Sequence, residues 1–322
     1  MSYLLEAIIF LIVLFLYIHI SYHSITSNDP EIYELNEVSK DKLEEICSLK
    51  QPVIINANIM MLPINILEEK NDSFKTNDVL IRNTNSESNE LMYLPLNYEK
   101  SQKLFKNDKG SEYYSENNET FIKDTALLKR LQEKDKFFRP PLHSNCFYDM
   151  LFGSNGSYTP LRYDLNYRNY IYASSGDCNI KLVAPSYNEN LHPIMDYVNF
   201  EFRSSINIWN VQDEFKNDFS RLKVIDIKLL EGQTIFIPPY WYYSIKFQDN
   251  NKVLSLKYRN YFNIFSIIPY LGMHYLQMNN IKNEKFKKID LSDKYLENTE
   301  EVSKENKEEK SIENIKMEIK EK

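Results

Sequence analysis

Two stretches of the chain decide the fold: LFGSNGSYTPLRYDLNYRNYIYASSGDCNIKLVAP at residues 151–185 and LLEGQTIFIPPYWYYSIKF at residues 229–247. Both consist of short runs of β-branched and aromatic residues, which are separated by turn sequences such as SSGD at 174–177. The run KVLSLKYRNYF at 252–262 follows the same pattern. Several short strands at regular spacing are typical of an all-β sandwich or barrel. The sequence therefore predicts a β domain from about residue 146 to residue 262.

The segments around this β region have other patterns. Ser39 stands where a helix N-cap would be, ahead of DKLEEICSLK, and PVIINA at 52–57 suits a buried strand. Residues 68–121 are poor in apolar side chains, so we predict a poorly structured insertion there. IFSIIPYLGMHYLQM at 264–278 is apolar enough for a packed terminal helix. The tail at 281–322 has 11 Lys and 12 Asp or Glu, so it is predicted to be solvated and partly disordered.

The first segment of the chain is strongly apolar. Every residue from Ala7 to Ile18 is apolar, and the apolar character extends over residues 3–22, which is enough for ~30 Å of helix and matches a bilayer core. A cleaved signal peptide is the alternative, but it would need a basic start and a small-residue cleavage site. The first Lys or Arg of the chain is Lys40, and no such cleavage pattern follows the apolar run.

A retained anchor is therefore favoured, which makes the protein a single-pass membrane protein with the lipid bilayer as a partner. Without flanking Lys or Arg, the sequence indicates neither the side nor the identity of the membrane. The predicted organisation is a transmembrane anchor, a linker, a folded domain and a charged tail, at residues 1–23, 24–38, 39–280 and 281–322.

The overall composition excludes some classes of protein. The formal net charge is -7 and the pI is about 5.5, whereas general nucleic-acid binders usually carry a basic footprint. No nucleic-acid partner is expected. The three cysteines, Cys47, Cys146 and Cys178, are too few and too scattered for a disulfide framework or a zinc cluster.

Three segments together resemble the JmjC-type, cupin-8-like family of iron(II) and 2-oxoglutarate-dependent oxygenases. They are ELNEVSKDKLEEICSLKQPVIINANI at 34–59 and the two stretches at 151–185 and 229–247. In the family, these segments correspond to a capped helix and strand, the region around a His-x-Asp motif, and the hairpin that carries the second iron-binding His. The resemblance implies a mainly β fold, namely a double-stranded β-helix (a jelly-roll cupin) with flanking helices.

The resemblance also locates the family's iron site, and this chain departs from it. Such iron is held by two His and one carboxylate on one face. The first His position holds Arg162, the carboxylate remains as Asp164, and the second His position holds Tyr243. The candidate co-substrate pocket comprises residues that the resemblance assigns there: Thr159, Asn169, Cys178 and Lys181. Cys178 stands where the family has the lysine that anchors 2-oxoglutarate, and Lys181 lies one strand repeat further on.

Arginine cannot ligate a metal, because its guanidinium stays protonated and offers only donors. Arg162 and Asp164 are two residues apart, so on a strand they share a face. We therefore predict a buried ion pair between them, in preference to an Arg162 that faces an open pocket and grips a small anionic ligand. The five histidines do not restore a metal-binding spacing: His19, His23, His143, His192 and His274.

These patterns predict a membrane-anchored, catalytically silent cupin-like domain that acts as a binding or scaffolding module. Its ligand would be an unknown protein or a small anion, and no cofactor is expected. The alternative is a 2-oxoglutarate-dependent oxygenase of the hydroxylase or demethylase type with an atypical metal site, which would use iron(II) and 2-oxoglutarate. Iron binding and 2-oxoglutarate turnover separate these two functions.

Overall fold

The computed structural model describes residues 2–36, 38–56, 73–84, 93–125 and 127–282. Residues up to His274 belong to one compact unit, and a second unit begins at Tyr275. The predictions for the tail beyond Lys282 lie outside the described residues. The helices are α1 (Ser2–Ser24), α2 (Lys40–Ser48), α3 (Ser73–Thr76), α4 (Tyr98–Asn107), α5 (Glu119–Asp124), α6 (Leu127–Lys134), α7 (Lys216–Phe219), α8 (Tyr261–Ser266) and α9 (Ile268–Lys282).

The strands of the described residues form two sheets. The strands are β1 (Tyr33–Leu35), β2 (Val53–Ile55), β3 (Asp78–Asn83), β4 (Leu94–Asn97), β5 (Tyr113–Ser115), β6 (His143–Gly153), β7 (Arg162–Tyr163), β8 (Arg168–Ser175), β9 (Cys178–Val183), β10 (Pro193–Asp196), β11 (Glu201–Ser204), β12 (Val224–Leu229), β13 (Thr234–Ile237), β14 (Tyr242–Lys246) and β15 (Lys252–Asn260). The order is β1-β2-β13-β8-β15-β6-β5-β3-β4 in the larger sheet and β10-β11-β7-β14-β9-β12 in the smaller sheet.

Along the chain, the eight central strands alternate between the two sheets, except that β9 and β12 both lie in the smaller sheet and pair with each other. The larger sheet contains β6, β15, β8 and β13 side by side, and the smaller sheet contains β7, β14, β9 and β12. Neighbouring central strands are antiparallel. This alternation is the arrangement of a double-stranded β-helix, so the predicted mainly β fold is confirmed. The two stretches at 151–185 and 229–247 contain strands β7 to β9 and β13 to β14, and the run at 252–262 contains β15.

The alternation of side chains along each strand produces two cores. Ile180 and Leu182 on β9 face Ile171 and Val253 of the larger sheet, and these residues fill the space between the sheets. On the outer face of the larger sheet, Tyr170 and its neighbours pack under the flanking helices. Because the larger sheet is covered on both faces, every residue of β8 is buried.

The segment 68–121 differs from its prediction. Its described parts contain the helices α3 and α4 and the strands β3 to β5. The three strands extend the larger sheet beyond β6. Phe74, Val79, Tyr98 and Tyr114 are buried there, at 4% exposure or less. The prediction of little structure is wrong for these parts. A few buried aromatic side chains are enough to hold these parts in place, because the edge of the larger sheet supplies hydrogen-bond partners for their backbone.

The predicted linker 24–38 is also bound to the domain. β1 pairs in parallel with β2, and the Trp241 indole N–H donates to the Ser27 carbonyl oxygen at 2.9 Å. The Asn28 side chain accepts a hydrogen bond from the Ser186 backbone at 2.9 Å. A three-residue strand is set by its partner rather than by its own pattern, which is why the sequence alone did not indicate it.

Helix α1 is attached to the domain at its C-terminal end. An 18-residue window of the helix Tyr3–Ser24 has a mean hydropathy of 2.5, and this helix is long and apolar enough to cross a bilayer, a property that signal sequences share. His23 is buried with its ring 4.6 Å from that of Tyr167. The Lys50 ammonium donates to the carbonyl oxygens of Tyr22 and Ile25. The end of α1 and the domain are therefore joined by side-chain contacts as well as by the chain.

Candidate functional site

The three positions that correspond to the family's metal ligands meet between the two sheets. Arg162 on β7 is the direct register partner of Tyr243 on β14. Asp164 follows Arg162 by two residues, and the Tyr243 hydroxyl donates to its Oδ2 at 2.8 Å. Facing positions on adjacent strands bring their Cβ atoms within about 5 Å. The fold thus brings together the three residues that the sequence singled out.

The Asp164 carboxylate forms an ion pair with a lysine of the opposite sheet. The Lys257 ammonium on β15 lies 2.9 Å from Oδ1 and 2.9 Å from Oδ2 of Asp164. Burial alone would raise the pKa of Asp164, but the charge and hydrogen bond of Lys257, the charge of Arg162 and the hydrogen bond of Tyr243 together lower this pKa below its ordinary value. Burial, followed by the nearby Asp164 carboxylate, raises the pKa of Tyr243 to about 12. At neutral pH the phenol is therefore a donor, and both carboxylate oxygens are engaged.

Arg162 belongs to a second cluster of charges. Its Nη1 is 2.6 Å from Glu116 Oε2 and 3.6 Å from Glu201 Oε1. Arg82 Nη1 contacts the same two acids, at 2.8 Å from Glu116 Oε1 and 3.2 Å from Glu201 Oε1. The predicted direct pair between Arg162 and Asp164 is wrong, because each side chain has a nearer partner. Arg162 and Asp164 point to the same side of their strand, but other parts of the chain bring opposite charges closer to each of them. Glu116 lies close to Arg162, and Lys257 lies close to Asp164.

Glu116 is the centre of this four-membered cluster, which we call the arginine–glutamate cluster (Arg82, Glu116, Arg162 and Glu201). It is fully buried, and its Oε1 accepts hydrogen bonds from the hydroxyls of Tyr93 and Tyr114, each at 3.2 Å. Burial would raise the pKa of Glu116, but the guanidiniums of Arg162 and Arg82 lower it below its ordinary range. Two positive and two negative charges thus neutralise one another out of water.

The structure separates the four candidate co-substrate residues. Thr159 accepts a backbone hydrogen bond from Ile245 at 3.0 Å. Asn169 is the register partner of Lys257, and its amide donates to the Ile237 carbonyl at 3.2 Å. Cys178 packs in the apolar core between the sheets, where burial raises its pKa to about 12.

Lys181 lies on the other face of β9 from Cys178. An odd separation along a strand reverses the direction of the side chain. Its ammonium is 4.7 Å from the centroid of the Trp209 ring and 3.7 Å from Asp226 Oδ1. Lys181 therefore does not reach the space that Arg162 and Asp164 share, and the pocket that the resemblance implies is not assembled as a unit.

The side chains do not fit the iron that the resemblance implies. Among the described residues, no group of three or more His, Cys, Asp and Glu is arranged to hold a metal ion. Of the three ligand positions, only Asp164 offers an anionic donor, and Lys257 and Tyr243 already engage both of its oxygens. A cation that entered there would have to displace an ammonium that carries its own charge.

A cleft of about 760 Å³ opens beside the arginine–glutamate cluster. Arg82, Tyr114 and Thr159 line this cleft. Arg203, which is the register partner of Arg162, also lines the cleft. The lining also includes the Glu214 carboxylate and several aromatic, amide and hydroxyl side chains: Tyr158, Ser205, Asn207, Trp209, Gln212 and Phe215. The volume is within the usual range for small-molecule sites, and the lining offers both stacking and hydrogen bonding.

Sequence reasoning missed the partners that complete the site. Glu116 and Arg82 lie in the segment that was predicted to be an unstructured insertion. Lys257 had a recognisable signal, because it directly follows the apolar run of Val253, Leu254 and Leu256, which is interrupted only by Ser255 and is fully buried. A lysine at such a position needs a carboxylate across the barrel.

The titration of Asp164 makes the stability of the protein depend on pH. Replacement of Lys257 should reverse the direction of this dependence. In the wild-type protein, the lowered pKa of Asp164 gives stabilisation that is present above its unfolded pKa of about 4 and is lost as the pH falls through the folded pKa. In Lys257→Met, burial dominates and the pKa of Asp164 should rise above the unfolded value. The variant should then melt far below the wild type at pH 7, and the difference should narrow at pH 5.

Lys103→Met is the matched control, since Lys103 and its partner Glu99 are both exposed and the pair lies outside the barrel. Melting temperatures of the full chain at the two pH values provide the comparison. A Lys257→Met deficit that is equal at pH 7 and pH 5 would show that the lysine does not hold the charge of Asp164.

The comparison with protein families agrees with the geometry. The model of a cupin-like domain matches residues 56–264, which is more than half of the chain. A search of the curated proteins finds no match. The matched range contains both central sheets and the positions Arg162, Asp164 and Tyr243, and it confirms the resemblance that the sequence segments indicated. The chain therefore belongs to the family of proteins with a cupin-like domain.

Proposed function

We propose that this protein is a membrane-attached cupin-like module that binds a ligand without catalysing its oxidation. The observation that carries the proposal is the engagement of Asp164 by Lys257 and Tyr243, because an oxygenase of this family needs that carboxylate for iron. An arginine and a phenol at the other two positions support the same conclusion, since a guanidinium has no lone pair to offer.

The cleft beside the arginine–glutamate cluster is the proposed binding site. Two guanidiniums, those of Arg82 and Arg203, and the Glu214 carboxylate line it, and Arg82 connects it to the arginine–glutamate cluster. Guanidiniums favour carboxylate and phosphate groups through charge-assisted hydrogen bonds. The aromatic and amide side chains of the cleft would hold the less polar part of the same molecule. The proposed ligand is therefore a small anion, or an acidic side chain of a partner protein.

Helix α1 is the proposed membrane anchor. Its length and hydropathy support a bilayer span. Its docking on Ser48, Lys50 and Tyr167 supports a helix that stays with the mature domain, since these contacts contribute to the folded structure.

Metal analysis of the purified full-length protein tests the proposed lack of catalysis. We expect far less than one equivalent of iron, cobalt or manganese after incubation with each metal, and no conversion of 2-oxoglutarate to succinate. The physical reason is that an ammonium fills the place of the cation. An Asp164→Ala variant serves as the control for adventitious metal, which it should bind as weakly as the wild type.

Near-stoichiometric iron that disappears in Asp164→Ala would favour the alternative function, a 2-oxoglutarate-dependent oxygenase with an atypical metal site. The same preparation can be melted with and without small carboxylates and phosphates. A ligand of the folded state raises the melting temperature by mass action.

A further inference from the structure

Helices α8 and α9 present an uncharged face to the outside of the domain. The exposed residues of this face recur three or four positions apart: Tyr261, Phe265, Ile268, Pro269, Gly272 and Met273. Tyr261 is 58% exposed, Phe265 is 49% exposed and Ile268 is 51% exposed. The opposite face is packed on the domain, where Ile267 is fully buried. Helices that are apolar all round are typical of segments inside a protein core or a membrane.

The sequence of this region is unusual for a protein surface. Residues 261–281 contain no Asp, Glu, Lys or Arg, although 26% of the whole chain is charged. The surface of a soluble domain rarely lacks charge over such a length, and a contiguous exposed apolar patch marks an interaction site. The tyrosines at 261 and 270 are of the type that favours a boundary between lipid and water.

Helix α8 lies beside the apolar helix α1. The Phe262 ring stacks on the His19 ring at 4.6 Å between centroids, and it meets the Phe15 ring edge-on at 5.9 Å. Phe15 and His19 both belong to the candidate membrane span Tyr3–Ser24. The exposed face of α8 is therefore continuous with the surface of the helix that would enter a bilayer.

The length of α1 gives an independent argument. Its fully exposed part runs from Tyr3 to Ile18. These residues extend over only ~24 Å of helix, whereas the hydrocarbon core of a bilayer is about 30 Å thick. The candidate span Tyr3–Ser24, which is long enough for this core, includes the turns of α1 that lie beside Phe262. Lipid that surrounds those turns also reaches α8.

We infer that α8 and the first turns of α9 are immersed in the surface of the same bilayer that receives α1, with Tyr261, Phe265 and Ile268 in contact with lipid. This inference rests on the proposed membrane attachment of α1. The domain then sits directly on the membrane, held at two places, rather than moving on a flexible tether. Such a segment is an interfacial helix, which buries an apolar face at the boundary of the acyl chains.

Tryptophan quenching by lipids with brominated acyl chains tests this inference on the full-length protein in liposomes. One tryptophan is introduced at each of three exposed apolar positions: Leu11→Trp in α1, Phe265→Trp in α8 and Leu94→Trp in β4. Leu94 is 64% exposed and lies on the edge strand of the larger sheet that is farthest from β1, so it is the matched aqueous control. The emission of the two native tryptophans is subtracted with the unchanged chain.

We expect the added emission to fall several-fold for Leu11→Trp and for Phe265→Trp, and to change little for Leu94→Trp. Quenching of Leu11→Trp alone, with Phe265→Trp like the Leu94→Trp control, would overturn the inference and leave the anchor in place. Failure of the lipid to quench Leu11→Trp would overturn the membrane attachment itself. Melting of each variant, which we expect to match that of the unchanged chain, confirms that all three are folded.

Discussion

Glu116→Gln should lower the free energy of unfolding by about 3–5 kcal/mol, which is the usual cost of removing one partner from a buried ion pair. Glu116 is fully buried and holds both Arg82 and Arg162. Without its charge, two guanidiniums face Glu201 alone, and one positive charge stays buried without compensation. Urea or thermal unfolding of the full chain in detergent measures the loss. Such a loss is a large part of the stability of an ordinary domain.

The double variant Glu116→Gln/Arg162→Met distinguishes charge from packing. It leaves Arg82 paired with Glu201, so the cluster is again neutral, and the double variant should be more stable than Glu116→Gln alone. A matched control is Glu99→Gln, which changes an exposed pair and should leave the melting temperature unchanged. If the losses of the two single variants simply add in the double variant, the cluster does not act as a unit.

Restoring the family's ligand types should create metal binding where the wild type has little. The triple variant Arg162→His/Tyr243→His/Lys257→Met should bind about one equivalent of cobalt(II) or of iron(II) under anaerobic conditions. The three positions meet on adjacent strands, and two His with one carboxylate form the usual facial site for iron(II). Removal of Lys257 frees both oxygens of Asp164 for the metal.

The double variant that keeps Lys257 is the informative control. It should bind metal much more weakly than the triple variant, because the ammonium competes for the carboxylate at close range. Addition of Asp164→Asn to the triple variant should abolish the binding. If the triple variant folds as cooperatively as the wild type and still takes up no metal, then Arg162, Asp164 and Tyr243 do not occupy the family's ligand positions.

The central strands were predictable because each has a pattern that its own residues determine. The run NIKLVA gave β9, and the alternation of Ile180 and Leu182 with Asn179 and Lys181 also assigned faces. The helix that begins after Ser39 was predictable from its N-cap, and the Ser39 hydroxyl does accept from the Lys42 backbone. Short strands such as β1 and β5 were not, since their structure depends on partners far along the chain.

The candidate site was predictable only in its composition. The family motifs placed Arg162, Asp164 and Tyr243 together, and the fold brings them together. The pairing of their charges was not predictable, because Glu116 and Lys257 come from segments whose approach depends on how both sheets close. The spacing of Arg162 and Asp164 on one strand says nothing about charged residues that lie opposite them in the folded domain.

The position of β15 in the middle of the larger sheet has a consequence for the order of events during synthesis. β15 lies between β8 and β6, and among the described residues it is the last strand to be synthesised. Neither neighbour can complete its hydrogen bonding until residues 252–260 have been made. The pairing of β2 with β13 also joins distant residues, Ile54 with Ile235. Chains with many distant pairings fold slowly, over milliseconds to seconds.

We therefore expect the domain to fold after its synthesis is nearly complete. Under the proposed attachment, α1 enters the bilayer long before Tyr167 and Phe262 exist to receive its end. The unfinished chain would then be attached to the membrane while its central strands are still unpaired. Chains that stop before residue 252 should remain unfolded and be degraded.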